Sequence, residues 1–311
     1  MNALAVVYER DFSGMIKNLP GVTINVEWYS FSTLGGPLRL SAKAVGPELS
    51  LWELVETLRC PIEVYDLFGT CTWWGYVASV LIRAGVIEVG ISLDTMFNNI
   101  AVAYSYIEPG SQSVGQRKTT AYSSNADSVS EYGIKDLILS LGGATDDQAT
   151  QIRNTILNQN RYPIPYWRRA FGSDSKVTAT IEARGWWSTL GWRMYANNTT
   201  ASVETTTQIA NVIAGVGQFL TGTEIETASG LSTSEYRDGD TTAQAEIEEL
   251  LRSGTTANRR LMALVTRERR VRVRRRLRLP ILTGAVPQRP PDRRRTFPQI
   301  VALGAPRGFA P

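Results

Sequence analysis

Seven carboxylates are the first residues in this chain with the types to do chemistry: Asp66, Asp94, Asp127, Glu131, Asp136 and the adjacent Asp146 and Asp147. Two of them facing each other across a sugar would serve glycoside hydrolysis, one as acid and one as base or nucleophile. Their spacing singles out no such pair, and solvated strand ends and helix caps account for them. The chain has no histidine and two cysteines, Cys60 and Cys71. That composition excludes histidine-based triads, imidazole metal ligands and imidazole proton shuttles, and two thiols alone do not complete a four-ligand zinc site. Cys60 and Cys71 are read either as a hairpin disulfide or, the preferred reading, as two buried thiols. The Gly-Gly pairs at 35–36 and 142–143 lack the Lys-Ser/Thr of a phosphate loop and the GxGxxG pattern, so they read as turns. No catalytic residue, cofactor site or metal site is expected, and the chain reads as non-enzymatic.

Contact chemistry is better supplied. Trp73, Trp74 and Tyr76 form one aromatic knot, and Trp186, Trp187, Trp192 and Tyr195 a second. Trp and Tyr dominate interface energetics, and they fill cores equally well. Neighbours in a strand point to opposite faces. One of each Trp-Trp pair is therefore expected in the core and the other against a neighbouring domain or subunit, with sugar stacking a weaker reading. A basic stretch includes Arg269, Arg270, Arg272, Arg274, Arg275, Arg276 and Arg278. It reads as a strand pair with Arg outward, followed by a solvated tail. A nucleic-acid contact is less favoured, because base stacking wants interleaved aromatics and only Phe297 and Phe309 occur after 252.

The elements that must position these residues are mostly strands. Residues 61–104 contain runs rich in β-branched and aromatic residues, such as Trp73–Ile82 and Val86–Ile91, separated by Gly-containing turns, the pattern of an antiparallel meander. Upstream, Val22–Trp28 alternates apolar and polar, and Leu38, Leu40, Ala42 and Ala44 share a face opposite Arg39 and Lys43. Leu51, Leu54, Val55 and Leu58 change the period to that of a helix, with Ser50 and Glu53 spaced as a capping box. Residues 108–124 read as a long polar loop. A helix from Thr145 to about Gln159 turns Ala149, Ile152, Ile156 and Leu157 inward, and further helices are expected over 205–220 and 242–251. Val177–Ala183 and two segments within Asn258–Val273 read as strands.

Length and charge bound the rest. At 311 residues the chain is long enough for two domains. Net charge is +4, yet residues 252–311 carry sixteen Arg, no Lys and two acids, so the body is acidic and the end basic. No apolar run reaches the roughly 18–20 residues of a membrane span, and no cleaved signal is expected at the start. The fold class is α+β, mainly β: antiparallel barrel-like domains with helical insertions. The segments are a β-rich 1–107, a helix-containing insertion with return strands over 108–200, an α+β part over 201–275 and an Arg/Pro-rich extended tail over 276–311.

Four stretches in order, LWELVETLRCPIEVYDLFGTCTWWGYVASV, GISLDTMFNNIAVAY, ADSVSEYGIKDLILSLG and ARGWWSTLGWRMY, resemble the tail hub or baseplate hub proteins of tailed bacteriophages. The resemblance covers roughly residues 20–275. It implies a structural virion protein with β-barrel domains that assembles into a ring, commonly a homotrimer, between tail tube and tail tip. Tail-tube, distal-tail and tail-tip proteins would be its partners, the phage tail its location, and the host cytoplasm its place of assembly. The Arg/Pro-rich end departs from that pattern. A tail-associated cell-wall hydrolase or glycan-binding module is the alternative.

Overall fold

The computed structural model describes residues 3–15, 19, 21–109, 114–169 and 176–275. All belong to one compact unit. The expected tail over 276–311, with Arg276 and Arg278, lies outside the described residues.

The fold is mainly β and is built on a closed six-stranded antiparallel barrel. Its strands are β1 (Leu4–Val7), β2 (Thr23–Ser32), β3 (Gly36–Val45), β4 (Pro61–Tyr65), β5 (Cys71–Ala84) and β12 (Thr178–Arg184). In the ring, β5 pairs with β12, β12 with β3, β3 with β2, β2 with β1, β1 with β4, and β4 again with β5. Alternation puts one side chain in two on the inside, and a six-strand ring leaves little room there. The buried residues match that limit: Ala42 and Ala44 on β3, Ala179, Ile181 and Ala183 on β12, Ile62 and Val64 on β4, Val80 and Ile82 on β5. Leu38, expected on the same face, is exposed.

The stretch expected as a helix over 48–58 is a single α turn, α1 (Glu48–Trp52), tightening into a 3-10 turn over 53–57. Leu51, Leu54 and Leu58 are buried as the period required. The Ser50–Glu53 capping box is not formed: Pro47 occupies the N-cap, and Ser50 lies inside the helix, buried.

Strand β5 outlasts its partner. Its first half pairs with β4 and its second with β6 (Ile87–Ser92), while β12 runs along the other side. Because β4 and β6 share one flank of β5 in succession, the sheet overruns the barrel and continues beyond it. Between β6 and β12 the chain makes an insertion: β7 (Asn99–Ile107), β8 (Val114–Thr119), β9 (Ser123–Ser124), α2 (Ala126–Tyr132), β10 (Asp136–Ala144), α3 (Asp146–Asn160) and β11 (Tyr166–Arg169). The span read as a loop, 108–124, thus carries two short strands, both paired to β7. Polar residues concealed them, since their partner supplies the apolar side. β10 joins β7 in parallel, and α3, held by a Thr145–Gln148 capping box, covers that sheet. Ala149 and Leu157 are buried beneath α3, but Ile152, expected inward, is exposed. β11 returns to pair with β6 as the end strand of the barrel sheet.

The last part carries β13 (Met194–Asn197), β14 (Ser202–Glu204), α4 (Thr205–Val216), β15 (Gly222–Ile225), β16 (Ser232–Ser234), β17 (Arg237–Thr242) and α5 (Ala243–Ser253), then the hairpin β18 (Leu261–Val265) and β19 (Arg270–Arg275). α4 and α5 pack together, burying Ile209, Val212, Ile213, Ile247, Leu250 and Leu251. β18 is tied to the β2–β3 turn by Gly35, whose N–H donates to Ala263 at 2.7 Å and whose carbonyl accepts from Val265 at 3.2 Å.

Candidate functional site

The two aromatic knots belong largely to one core cluster. Tyr76 meets Trp186 at 5.2 Å and Trp192 at 5.5 Å, and Phe219 closes the group at 5.8 Å from Trp186 and 5.7 Å from Trp192. Trp73, Tyr76, Trp186, Trp187, Trp192 and Tyr195 are all buried. As candidate contacts for a partner these six are corrected by the fold, because the chain buries them in its own core, where Tyr76, Trp186 and Trp192 close on Phe219. Trp186 and Trp187 stand in a 3-10 helix over 186–192, where strand alternation does not apply, so neither is presented outward. Trp74 is half-buried and does face another element: it stacks edge-on with Phe31 and donates to the Val265 carbonyl at 3.1 Å.

Beside Trp74 lies a half-open cavity of about 210 Å³, bordered by the barrel rim, the 3-10 helix and the turn between β18 and β19. Tyr8, Pro61, Glu63 and Gly75 line it from the barrel side. Trp186 and Phe12 add two more rings, and Arg267 and Arg269 reach in from the turn. Gly75 is required there, since a Cβ would stand 2.1 Å from the Arg184 carbonyl oxygen.

Glu63 is fully engaged. Arg267 donates to both its oxygens, at 3.0 and 2.9 Å, and to the Tyr65 hydroxyl at 2.8 Å. Tyr65 donates to the same carboxylate, and Tyr8 adds a bond of 3.1 Å. Burial alone would push the Glu63 carboxyl up, but these donors hold it below the usual range, while Tyr65 is pushed up by burial and by its bond to Glu63. Arg269 is different. Its guanidinium lies 3.6 Å over the Phe12 ring and donates to the Phe219 carbonyl at 3.3 Å, with no carboxylate partner among the described residues. Burial pulls its pKa down.

The seven sequence candidates for acid-base work stand in structural contacts, and none lines this cavity. Asp66 accepts from Phe68 and Thr70 in its turn, Asp94 pairs with Arg184 at 2.5 Å, and Glu131 pairs with Arg10 at 2.7 Å. Asp136 accepts from Asn99, Arg193 and the Met194 N–H. Asp146 accepts from Tyr104 and Lys118, and Asp127 and Asp147 sit in first helical turns. Among the described residues no group of three or more Cys, Asp or Glu is arranged to hold a metal ion, and no helix is long and apolar enough to cross a membrane.

Both thiols are free. Register separates them: Cys71 stands opposite Tyr65, whereas Cys60 is bonded to Val77 through the backbone at the far end of the same hairpin. Burial pushes Cys60 up to about 11, which leaves it protonated at neutral pH.

Of the basic residues, Arg270, Arg272, Arg274 and Arg275 project from β19 with Val271 and Val273 turned into the core. Arg272 is paired with Glu224 and Glu226. Sequence reasoning missed Phe12, Arg59, Glu63 and the exposed apolar residues. Phe68, 92% exposed, and Leu67 crown the β4–β5 turn, and Trp167 on β11 is 77% exposed. The one available signal for Trp167 was its place after the Pro163–Pro165 crossing, where an extended chain shows both faces. Compared with protein-family models, with curated proteins and with solved structures, the chain finds no match in any of the three.

Proposed function

We propose that this chain is a non-enzymatic structural component of a bacteriophage tail, a tail hub or baseplate hub that joins tail tube to tail tip by assembling into a ring. Its partners are copies of itself, as a homotrimer, together with tail-tube, distal-tail and tail-tip proteins. Its place is the virion, after assembly in the host cytoplasm.

The observation that carries this reading is the overrun of the barrel sheet. β11 ends the sheet with an outer edge that no described strand pairs, and all four of its residues are exposed. An unpaired edge is a template for another strand, and natural monomers blunt such edges or cover them. Here the edge carries Trp167 and lies beside exposed Ile87 and Val86. Apolar surface at an open edge suits a subunit joint. The order of the four hub-like segments supports the same reading.

Light scattering on the purified protein is expected to give about three times the 34.3 kDa chain mass, and the protein is expected in purified particles. A stable monomer absent from particles overturns the proposal. For the alternative, a hydrolase or glycan-binding module, the cavity offers one carboxylate, Glu63, already held at both oxygens by Arg267, so no observation favours it. Clearing of host cell wall in a zymogram would reverse that preference.

A further inference from the structure

Among the described residues four that are not glycine have left-handed backbone: Phe12 at φ 65°, Arg59 at 67°, Asn258 at 52° and Arg269 at 62°. Such a conformation is strained for an L residue and persists only where the surroundings hold it. Three of the four meet in one place. Arg269 stacks on Phe12, Arg59 lies 5.3 Å over Phe219, and Arg269 donates to the Phe219 carbonyl.

The charges there do not balance. Arg59 is 8% exposed, and its donors end on the carbonyls of Glu131 at 3.3 Å and Arg10 at 2.9 Å. Arg10 holds the nearby carboxylate, Glu131. Arg59 and Arg269 therefore bring two half-buried or buried positive charges with no acid bound to either among the described residues. Buried charges are normally paired, because their desolvation is otherwise uncompensated. Burial, and for Arg59 also the neighbouring Arg10, pulls both guanidiniums down from their ordinary pKa.

Arg269 forms part of the wall of the half-open cavity, where its Nε and second amino group have no acceptor among the described residues. Glu63 is neutralised by Arg267, so the charge left over in the cavity is that of Arg269. The remaining walls are the rings of Tyr8, Phe12, Trp74 and Trp186, with Pro61 and Gly75 on the barrel side. The volume of about 210 Å³ exceeds the roughly 150 Å³ that encloses a benzene ring in an apolar protein cavity. We propose that this cavity binds a carboxylate carried on an aromatic or compact apolar body, with the Arg269 guanidinium as its counter-ion. Such a group is offered by a free aromatic acid or by the terminal residue of another polypeptide. The shape and the rings take the body, and the planar guanidinium takes the two oxygens side by side.

The test is titration of the full chain with phenylacetate and with its neutral amide, read by tryptophan fluorescence and by ligand-detected NMR. Phenylacetate is expected to bind with Kd on the order of 1 mM or tighter, and phenylacetamide at least about tenfold more weakly, the size of one charge-assisted contact. This comparison uses the unaltered chain, so it does not depend on a variant folding. In Arg269→Gln the phenylacetate affinity is expected to fall about tenfold, while Arg252→Gln, at an exposed position elsewhere, leaves it unchanged. A peptide ending in Phe with a free carboxylate, set against its amidated form, then assigns the source: binding of the free-acid form points to a polypeptide terminus, and phenylacetate binding without it points to a small acid. Equal binding of phenylacetate and its amide, no binding of phenylacetate, or full affinity in a folded Arg269→Gln overturns the proposal. None of these outcomes touches the oligomer mass on which the ring reading stands.

Discussion

Lys135 is a cation enclosed by carbonyls and rings instead of acids. Its ammonium donates to the Leu93 carbonyl at 2.7 Å and the Asp94 carbonyl at 3.3 Å, lies 4.7 Å from the Phe97 ring and 5.7 Å from that of Trp192, and is 8% exposed. Burial pulls its pKa from 10.5 down to about 8. Between those two values the unfolded chain keeps a proton that the folded chain has released, so folding stability from this group rises with pH through that window. Measured by urea unfolding, wild type is expected to gain about 1–3 kcal/mol on Lys135→Met between pH 8 and pH 10.5. A difference that stays flat across that range would show that the ammonium is already solvated. Methionine keeps the volume, so the comparison isolates the charge. A lysine in a polar-looking run, Gly133-Ile134-Lys135-Asp136, bears no mark of this burial in its own neighbours. The same holds for Arg59 and Arg269, whose left-handed backbone no residue type announces.

At the scale of elements, the hairpin of β18 and β19 is the piece whose attachment can be tested. Its turn is latched to the barrel rim by Arg267 on Glu63 and Tyr65, and its first strand by Gly35. A two-point arginine-carboxylate pair, half-exposed, contributes about 1 kcal/mol after solvent screening. Arg267→Gln is expected to lower amide protection across 261–275 by about fivefold in hydrogen exchange, with residues 76–82 of β5 unchanged. Loss of protection in both regions alike would mean that the hairpin and barrel open as one unit. The elements themselves were partly legible. Strands β5, β12, β18 and β19 and helices α3, α4 and α5 stand where periodicity puts them, because each carries its own apolar face. β8 and β9 were not legible, since they contribute polar residues and borrow their order from β7. The helical stretch over 48–58 keeps its length, from Pro47 at the N-cap to left-handed Arg59 beyond the last turn, but it tightens from α to 3-10 after Trp52.

For the molecule as a whole, the proposed ring puts its demand on the open edge of the sheet. Trp167→Ser is expected to shift the sedimentation profile toward the monomer by at least about tenfold in dissociation constant, the loss of one interface Trp being worth about 2 kcal/mol. The thermal midpoint of the monomer should not move, because Trp167 is exposed within the chain. An unchanged oligomer in this variant would take β11 out of the joint. The same contrast separates the two kinds of aromatic in this protein: substituting buried Trp186 is expected to lower the thermal midpoint, and substituting exposed Trp167 to weaken only the proposed assembly.

Sequence alone determined the chemistry that is excluded and the class of the fold: no histidine, two thiols, alternating strands and a basic end on an acidic body. It also supplied the inventory of rings and guanidiniums from which any site had to be made. Tertiary structure decided which of them turn inward, and the reason is register over long separations. Ile181 becomes core by standing between Ala42 on one side and Val80 on the other, a placement set by pairings 139 and 101 residues apart. Tyr76, Trp186 and Trp192 were spent on a core cluster with Phe219, while Trp167, on a strand that pairs on only one side among the described residues, was left outside.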